Sequence, residues 1–315
     1  MNKKLVLIDG HALLFRAYYA FPSSLTTSEG EIIHAVYGFT SILLNVIREL
    51  RPTHIVISFD LGKPTFRHEA FKEYKANRDE TPQDLIDQEK RLHEVVKVLN
   101  MPVFTKKGYE ADDVIGTIAE KAKKDGIDTI IVTGDKDALQ LVDDDPTETN
   151  NPGSVSVYMP GRGGKASTKY NEAMVEEKFG GLEPEQIVDL KGLAGDQSDN
   201  IPGVKGVGPK TATKLLLKFK TVEGVYEAVD DGRINDVLKG AMLTKLIGGR
   251  EMALKSKELA TIVRDVDVDF QIDDAVLHDF DKVKVLELFD ELGFRSLINK
   301  LPNDIVEQDI QEALF

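Results

Sequence analysis

The chain has 315 residues, a net charge of −14 and no cysteine. Disulfides, thiolate zinc sites and cysteine nucleophiles are excluded, and any metal site must rest on oxygen ligands, which suit magnesium, manganese or calcium. With 41% hydrophobic and 30% charged residues, the chain can bury the core of one large domain or two modest ones. Its acidic balance argues against a blanket polyanion binder, although local patches decide binding. The six histidines show neither an HExxH motif nor paired spacing.

The N-terminal apolar run stops at Asp9, too short for a signal peptide, and no stretch approaches the length of a membrane span. A soluble cytoplasmic protein is the expectation. "KLVLID" (4–9) is a continuous apolar run ending in Asp, the pattern of a buried parallel strand. Residues 32–50 have helical periodicity and stop before Pro52. "HIVISFD" (54–60) is a second buried strand, and residues 62–80 are basic and aromatic. Thr81-Pro82 reads as an N-cap followed by a first-turn proline, and Leu85, Ile86, Leu92, Val95, Val96 and Leu99 then make one helical face.

"MPVF" (101–104) is a short strand. Residues 110–126 form a helix with Val114, Ile115, Ile118, Ala119 and Ala122 inward, closed by Gly126. "TIIVTGDKD" (129–137) is a third strong strand ending in acids. Residues 143–170 read as a long polar loop or hairpin, and from about Glu183 to 301 the pattern is helical. Strands alternating with helices predict an α/β fold, a mostly parallel sheet flanked by helices. The expected division is 1–170 for the α/β core, 171–302 for a helical region, and 303–315 for a tail.

Open α/β sheets bind ligands outside the carboxyl ends of their strands. Asp9 and Asp60 end two strands, Asp135 and Asp137 follow a third, and Glu110, Asp112 and Asp113 open a helix beside the same edge. Asp196 and Asp199 sit on a loop able to reach it. Each piece has a bland reading: a strand-ending Asp is often a turn residue, and acids in a first helical turn suit the helix dipole. Seven like charges on one rim, however, repel strongly unless cations neutralise them. The sum points to a divalent-metal site for two ions, suited to in-line attack of water on a phosphodiester.

The segment "AGDQSDNIPGVKGVGPKTATKLLLKF" (194–219) turns from acids to glycines and lysines. From Val204 to Lys220 it holds five lysines and no acid. Gly206 and Gly208 precede Pro209 at an expected first helical position, and such a turn offers backbone N–H groups to phosphate without reading sequence. Lys205, Lys210, Thr211 and Lys214 are the candidate contacts. An ordinary helix–turn–helix with a solvated lysine face is the competing reading. In "KPTFRHEAFKEYKANR" (63–78), a helix would align Arg67, Phe71, Lys75 and Arg78 in a basic stripe beside Tyr74. That stripe suits a single strand with stacked bases, or is simply a solvated amphipathic face.

The motifs "LIDGHALLFRAYYA", "FDLGKPTFRHEAFKEYKANR", "YEADDVIGTIA", "VTGDKDALQL" and "LAGDQSDNIPGVKGVGPKTA" stand in a specific order and spacing. Over about residues 3–302 the chain resembles the bacterial 5′–3′ exonuclease domain of DNA polymerase I, within the flap-endonuclease-like 5′-nuclease superfamily. The resemblance implies two or three divalent ions, Mg2+ or Mn2+. Asp9, Asp60, Glu110, Asp112 and Asp113 match one ligand cluster; Asp135, Asp137, Asp196 and Asp199 match the second. It implies a helical arch over the single-stranded 5′ flap, here 62–99. There Lys75 and Arg78 match the cations that steer and polarise the scissile phosphate, and Arg16 and Arg67 match other phosphate-facing residues. A helix-hairpin-helix, at about 184–219, would hold duplex DNA, with K+ as an accompanying ion.

The implied substrates are DNA with a 5′ flap, fork or nick and RNA-primed DNA, cut by a monomer at the nucleoid during replication and repair. Loop 143–170 is longer and more polar than the resemblance suggests. The chain ends at Phe315, where many relatives continue into proofreading and polymerase regions, so a stand-alone nuclease and a part of a polymerase both stay open. A metal-dependent ribonuclease and a DNA-junction binder without catalysis are the alternatives.

Overall fold

The computed structural model describes residues 3–144, 153–161 and 165–302. Strands β1 (Lys4–Asp9), β2 (His54–Ser58), β3 (Val103–Phe104), β4 (Asp128–Val132), β5 (Val155–Met159) and β6 (Thr168–Tyr170) form one sheet in the order β3-β2-β1-β4-β5-β6. Every pairing is parallel except β5 with β6. Helices α1 (Gly10–Ala20) and α2 (His34–Leu50) lie between β1 and β2, α3 (Phe66–Ala70) and α4 (Gln83–Val98) between β2 and β3, and α5 (Ala111–Lys124) between β3 and β4. After β6 come α6 (Glu172–Lys178), α7 (Ile187–Ala194), α8 (Pro209–Phe219), α9 (Val222–Asp230), α10 (Gly240–Gly248), α11 (Arg250–Ala260), α12 (Lys282–Glu291) and α13 (Arg295–Ile298).

The apolar strands are buried on both faces because their side chains alternate between two cores. Val6, Ile8, Ile55, Ile57, Ile130 and Val132 enter one core with α1, α2, α4, α12 and α13. Leu5, Leu7, Val56 and Ile131 enter the other, beneath α5. A third cluster, without the sheet, joins Leu193, Val204, Val207, Leu215, Leu216, Tyr226, Leu246 and Ala253 in the helical region.

The structure qualifies the expected division of the chain. The helical region does not remain apart: Ile262, Val266, Val268 and Phe270 return beneath the sheet, and Val285, Phe289, Phe294 and Leu297 pack against the first core. Residues 261–270 are not helical, against the helical reading of 183–301, and the cores that these returning residues complete are set by long-range contact. The segment 143–170, expected as a long polar loop or hairpin, carries the antiparallel pair β5–β6, and β5 also joins the sheet in parallel with β4; Val155, Val157, Tyr158 and Met159 in a polar surround give only a weak strand signal. Residues 145–152 and 162–164 of that loop, and the tail 303–315, lie outside the described residues. Helix α1 follows β1 without a loop, so no turn signal marks it; the Asp9 side chain that ends the strand accepts the Ala12 N–H and starts the helix.

The expected arch at 62–99 is also smaller. Leu85, Leu92, Val95 and Val96 seat α4 in the first core, so only the chain before it crosses the rim. The basic stripe does not form, because α3 ends at Ala70 and a run of turns follows, with Lys75 left-handed at φ 53°.

Candidate metal centre

The strand order reverses between β1 and β4, which opens a crevice at their carboxyl ends. The Asp9 carboxylate accepts the Ala12 N–H at 2.9 Å and the Thr133 hydroxyl at 2.7 Å. Asp60 accepts the Ala111 N–H at 2.7 Å, at the start of α5, while its own N–H donates to His11 Nδ1 at 3.0 Å. These two acids therefore face the positive ends of α1 and α5. Across the crevice, Asp135 Oδ1 accepts the Asp137 N–H at 2.9 Å, which fixes the turn after β4.

The rim is under-neutralised. Burial, joined by the Asp60 and Asp135 charges, pushes the Asp9 carboxyl up to about 6 against the Ala12 and Thr133 hydrogen bonds. Asp112 is held well above the usual carboxylate range by burial, then by Asp9 and Asp135, with Lys75 pulling the other way. Burial and Asp135 raise Asp137 to about 6 despite Lys191. Each of the three is raised first by burial and then by neighbouring carboxylates, Asp135 among them.

The remaining acids carry side-chain cations. Lys75 Nζ lies 2.9 Å from both Glu110 carboxylate oxygens and 3.8 Å from Asp199. The Arg78 guanidinium donates to Asp199 at 2.5 Å, and the Tyr74 hydroxyl donates to Glu110 at 3.1 Å. Lys191, on α7, bridges Asp137 and Asp196. Among the described residues no three of these acids stand close enough to hold an ion as they are placed; Lys75, Arg78 and Lys191 are paired with Glu110, Asp137, Asp196 and Asp199. The donor set is nonetheless all oxygen and partly buried, which suits a hard divalent ion.

Asp113 does not belong to this rim. Fully buried, it accepts both Arg67 guanidinium nitrogens at 2.7 Å, the Glu110 N–H at 3.0 Å and the Val263 N–H at 2.9 Å. Four donors fill the two oxygens and leave no site for a metal. Its position in the first turn of α5 follows the capping reading. Arg67 is correspondingly withdrawn from phosphate: it pairs with Asp113 and donates to the Leu259 and Thr261 carbonyls. Tyr74, 3% exposed, packs with Ile201 and Leu259 and presents no face for base stacking.

A cleft of about 920 Å³ leads from the acids to the helical region, lined by Arg16, Tyr19, Arg78, Asp135, Asp137, Lys191, Asp196 and Pro209 among others. Arg16 also donates to the Pro160 and Gly161 carbonyls at 2.5 and 2.6 Å, so the end of β5 orients it. At the far end, Gly208 caps α8 and Pro209 occupies its first turn. Gly206 is left-handed at φ 87°, and a side chain on Gly208 would meet nothing within 4 Å, so the turn is open to a ligand backbone. Lys205, Lys210 and Lys214 are exposed around it, and Thr211 is half-buried.

Residues 4–180 match the family model described as the N-terminal resolvase-like domain of 5′–3′ exonucleases, and residues 182–283 match the C-terminal SAM fold of the same group. The chain belongs to the 5′–3′ exonuclease family. Relatives agree: the DNA polymerase I of Bacillus caldotenax is 44% identical over 310 residues, 98% of this chain and 33% of the relative. That of Bacillus subtilis is 41% identical over 313 residues, 99% of this chain and 34% of the relative. The chain thus spans about a third of the length of these relatives. Two solved structures share the fold. The T5 5′-exonuclease with bound zinc ions has a TM-score of 0.64 at 23% identity, covering 82% of this chain and 89% of that one. A bacteriophage T5 flap endonuclease with DNA and metal ions has a TM-score of 0.65 at 20% identity, covering 95% and 96%.

Four residues at the site carry no signal in the sequence. Thr133 and His11 touch Asp9 and the Asp60 backbone, and neither type signals such a role alone. Lys191 falls in a helical stretch where a lysine reads as solvated. Lys245, on α10, reaches the hairpin: a Cβ on Gly206 would come within 2.9 Å of its Nζ. Only tertiary packing brings that lysine to the turn.

Proposed function

We propose that this exonuclease is a divalent-metal-dependent, structure-specific 5′ nuclease that hydrolyses phosphodiesters near a 5′ end or flap junction, leaving a 5′-phosphate. The observation that carries the reading is the crowded acidic rim, with Asp9, Asp112 and Asp137 all raised first by burial and then by neighbouring carboxylates, Asp135 among them in each case. Asp9, Asp60, Glu110, Asp112, Asp135, Asp137, Asp196 and Asp199 would hold the ions, Mg2+ or Mn2+. When bound, such ions supply an activated water and stabilise the leaving oxygen.

The chain's own groups place the phosphate. Arg78, with its side chain half-exposed at the cleft, and Lys75 face the substrate when the acids to which they are paired take metal instead. Arg16 supports the strand along α1. Gly206, Gly208, Lys205, Lys210, Thr211 and Lys214 grip the duplex backbone, with K+ as a companion ion at the turn. Recognition is then by shape and charge, so binding should weaken steeply with salt.

In this reading the substrates are 5′-flapped, forked or nicked DNA and RNA-primed strands, processed in the cytoplasm during replication and repair beside or within a polymerase. No helix among the described residues is long and apolar enough to cross a membrane. The deciding experiment incubates a 5′-flap substrate with and without EDTA. Magnesium-dependent release of the flap is expected; binding with no such cleavage would overturn the reading.

A further inference from the structure

Lys191 stands apart from the other cations of the site because it belongs to the helical region and not to the chain that crosses the rim. Its ammonium contacts Asp137, which follows β4, and Asp196, which follows α7, and its side chain is 13% exposed. The local chain is built to form this bridge. Gly195, at φ 74°, turns the backbone at the end of α7, and its N–H donates to the Lys191 carbonyl at 2.8 Å. A Cβ there would lie 2.6 Å from the Ile201 carbonyl oxygen, so the turn requires glycine. Ser198 donates its N–H and its hydroxyl to Asp196 Oδ1 at 2.8 and 2.6 Å, which leaves Oδ2 aimed at Lys191.

A divalent ion and an ammonium cannot share two carboxylates, because like charges a few ångströms apart repel in a half-buried site. Lysine is a point charge on a flexible four-carbon stem, and the cleft that Lys191 lines gives the head somewhere to go. We propose that Lys191 is a displaceable internal counter-ion. It bridges Asp137 and Asp196 until a divalent cation takes that place, sets the metal concentration at which this occurs, and then turns into the cleft toward the anionic substrate. The inference rests on the metal-ligand reading of Asp137 and Asp196.

Mn2+ binding to the 315-residue chain, followed through the electron paramagnetic resonance signal of free Mn2+, tests both. Lys191→Met should fill one class of sites at a Mn2+ concentration on the order of tenfold lower than wild type, with any other class unchanged. Lys191→Arg, which keeps the charge, should stay within a few-fold of wild type. Circular dichroism checks folding, and Lys191→Gln, with the same shift expected, replaces the methionine variant if α7 is perturbed. An unshifted isotherm in Lys191→Met, alongside a class of sites lost in Asp137→Asn, overturns the counter-ion role and leaves the metal reading intact. Isotherms unchanged in both Asp137→Asn and Asp196→Asn overturn the metal reading of those acids, and the inference with it.

Discussion

Asp9 and Asp60 are held by the N-terminal ends of α1 and α5, whereas Asp137, Asp196 and Asp199 are held by lysine and arginine side chains. Backbone dipoles are fixed by the fold and cannot leave when a cation arrives. Side-chain cations can. One part of the rim is therefore fixed by the backbone, with Asp9 raised first by burial and then by Asp60 and Asp135; the other is closed by side-chain counter-ions. A further contrast lies within "EADD" itself: Asp112 faces the crowded rim, and its neighbour Asp113 is sealed against Arg67.

The sharpest way to break this contrast is to neutralise the two neighbours separately. Asp112→Asn should lower flap cleavage by about 10³-fold, a barrier increase of roughly 4 kcal/mol, with the protein still folded and still binding DNA. Single-turnover cleavage and a gel-shift assay read the two effects, and near-wild-type turnover would remove Asp112 from the site. Asp113→Ala should instead unfold more easily, by about 3–5 kcal/mol, because Arg67 is left buried without its partner. Urea denaturation measures that loss; an unchanged midpoint would mean that the pair is not structural.

Metal-free stability should depend on pH with a definite sign. The folded pKa of Asp9 is raised to about 6 from 3.8, so its contribution is fully present below about pH 4 and is lost as pH rises through 6. A carboxyl displaced that far changes stability by about 3 kcal/mol between the two ends of the window. Denaturation at pH 5 and pH 7 in EDTA should show the fall, and adding Mg2+ at pH 7 should reverse it. Stability rising over that window would contradict the picture of a crowded, under-neutralised rim.

The smallest effect concerns the hairpin. Lys210→Ala should weaken duplex binding by about 1 kcal/mol or less, uniformly across sequences, and reduce the salt slope by about 1. Titrations at several salt concentrations on two unrelated duplexes test it. A strong dependence on sequence would mean base contact in place of backbone grip.

Much of the rim was legible because strand-ending acids follow unmistakable apolar runs, "KLVLID" and "HIVISFD". The hairpin was legible for a similar reason: proline at the first turn of α8 and left-handed Gly206 are local requirements of the backbone. Asp113, Arg67 and Tyr74 were misread because their burial depends on residues 199–263, far along the chain. Lys191 and Lys245 were passed over because an isolated lysine on a helix carries no sign of its partner.

The sequence by itself determined strands β1 to β4, the acids that follow β1, β2 and β4, and the glycine turn, since these follow from hydrophobic period, strand termination and backbone freedom between near neighbours. Only the tertiary structure decided which charges are open and which are closed. That choice depends on desolvation and on partners tens to hundreds of residues away, and neither is written in local pattern.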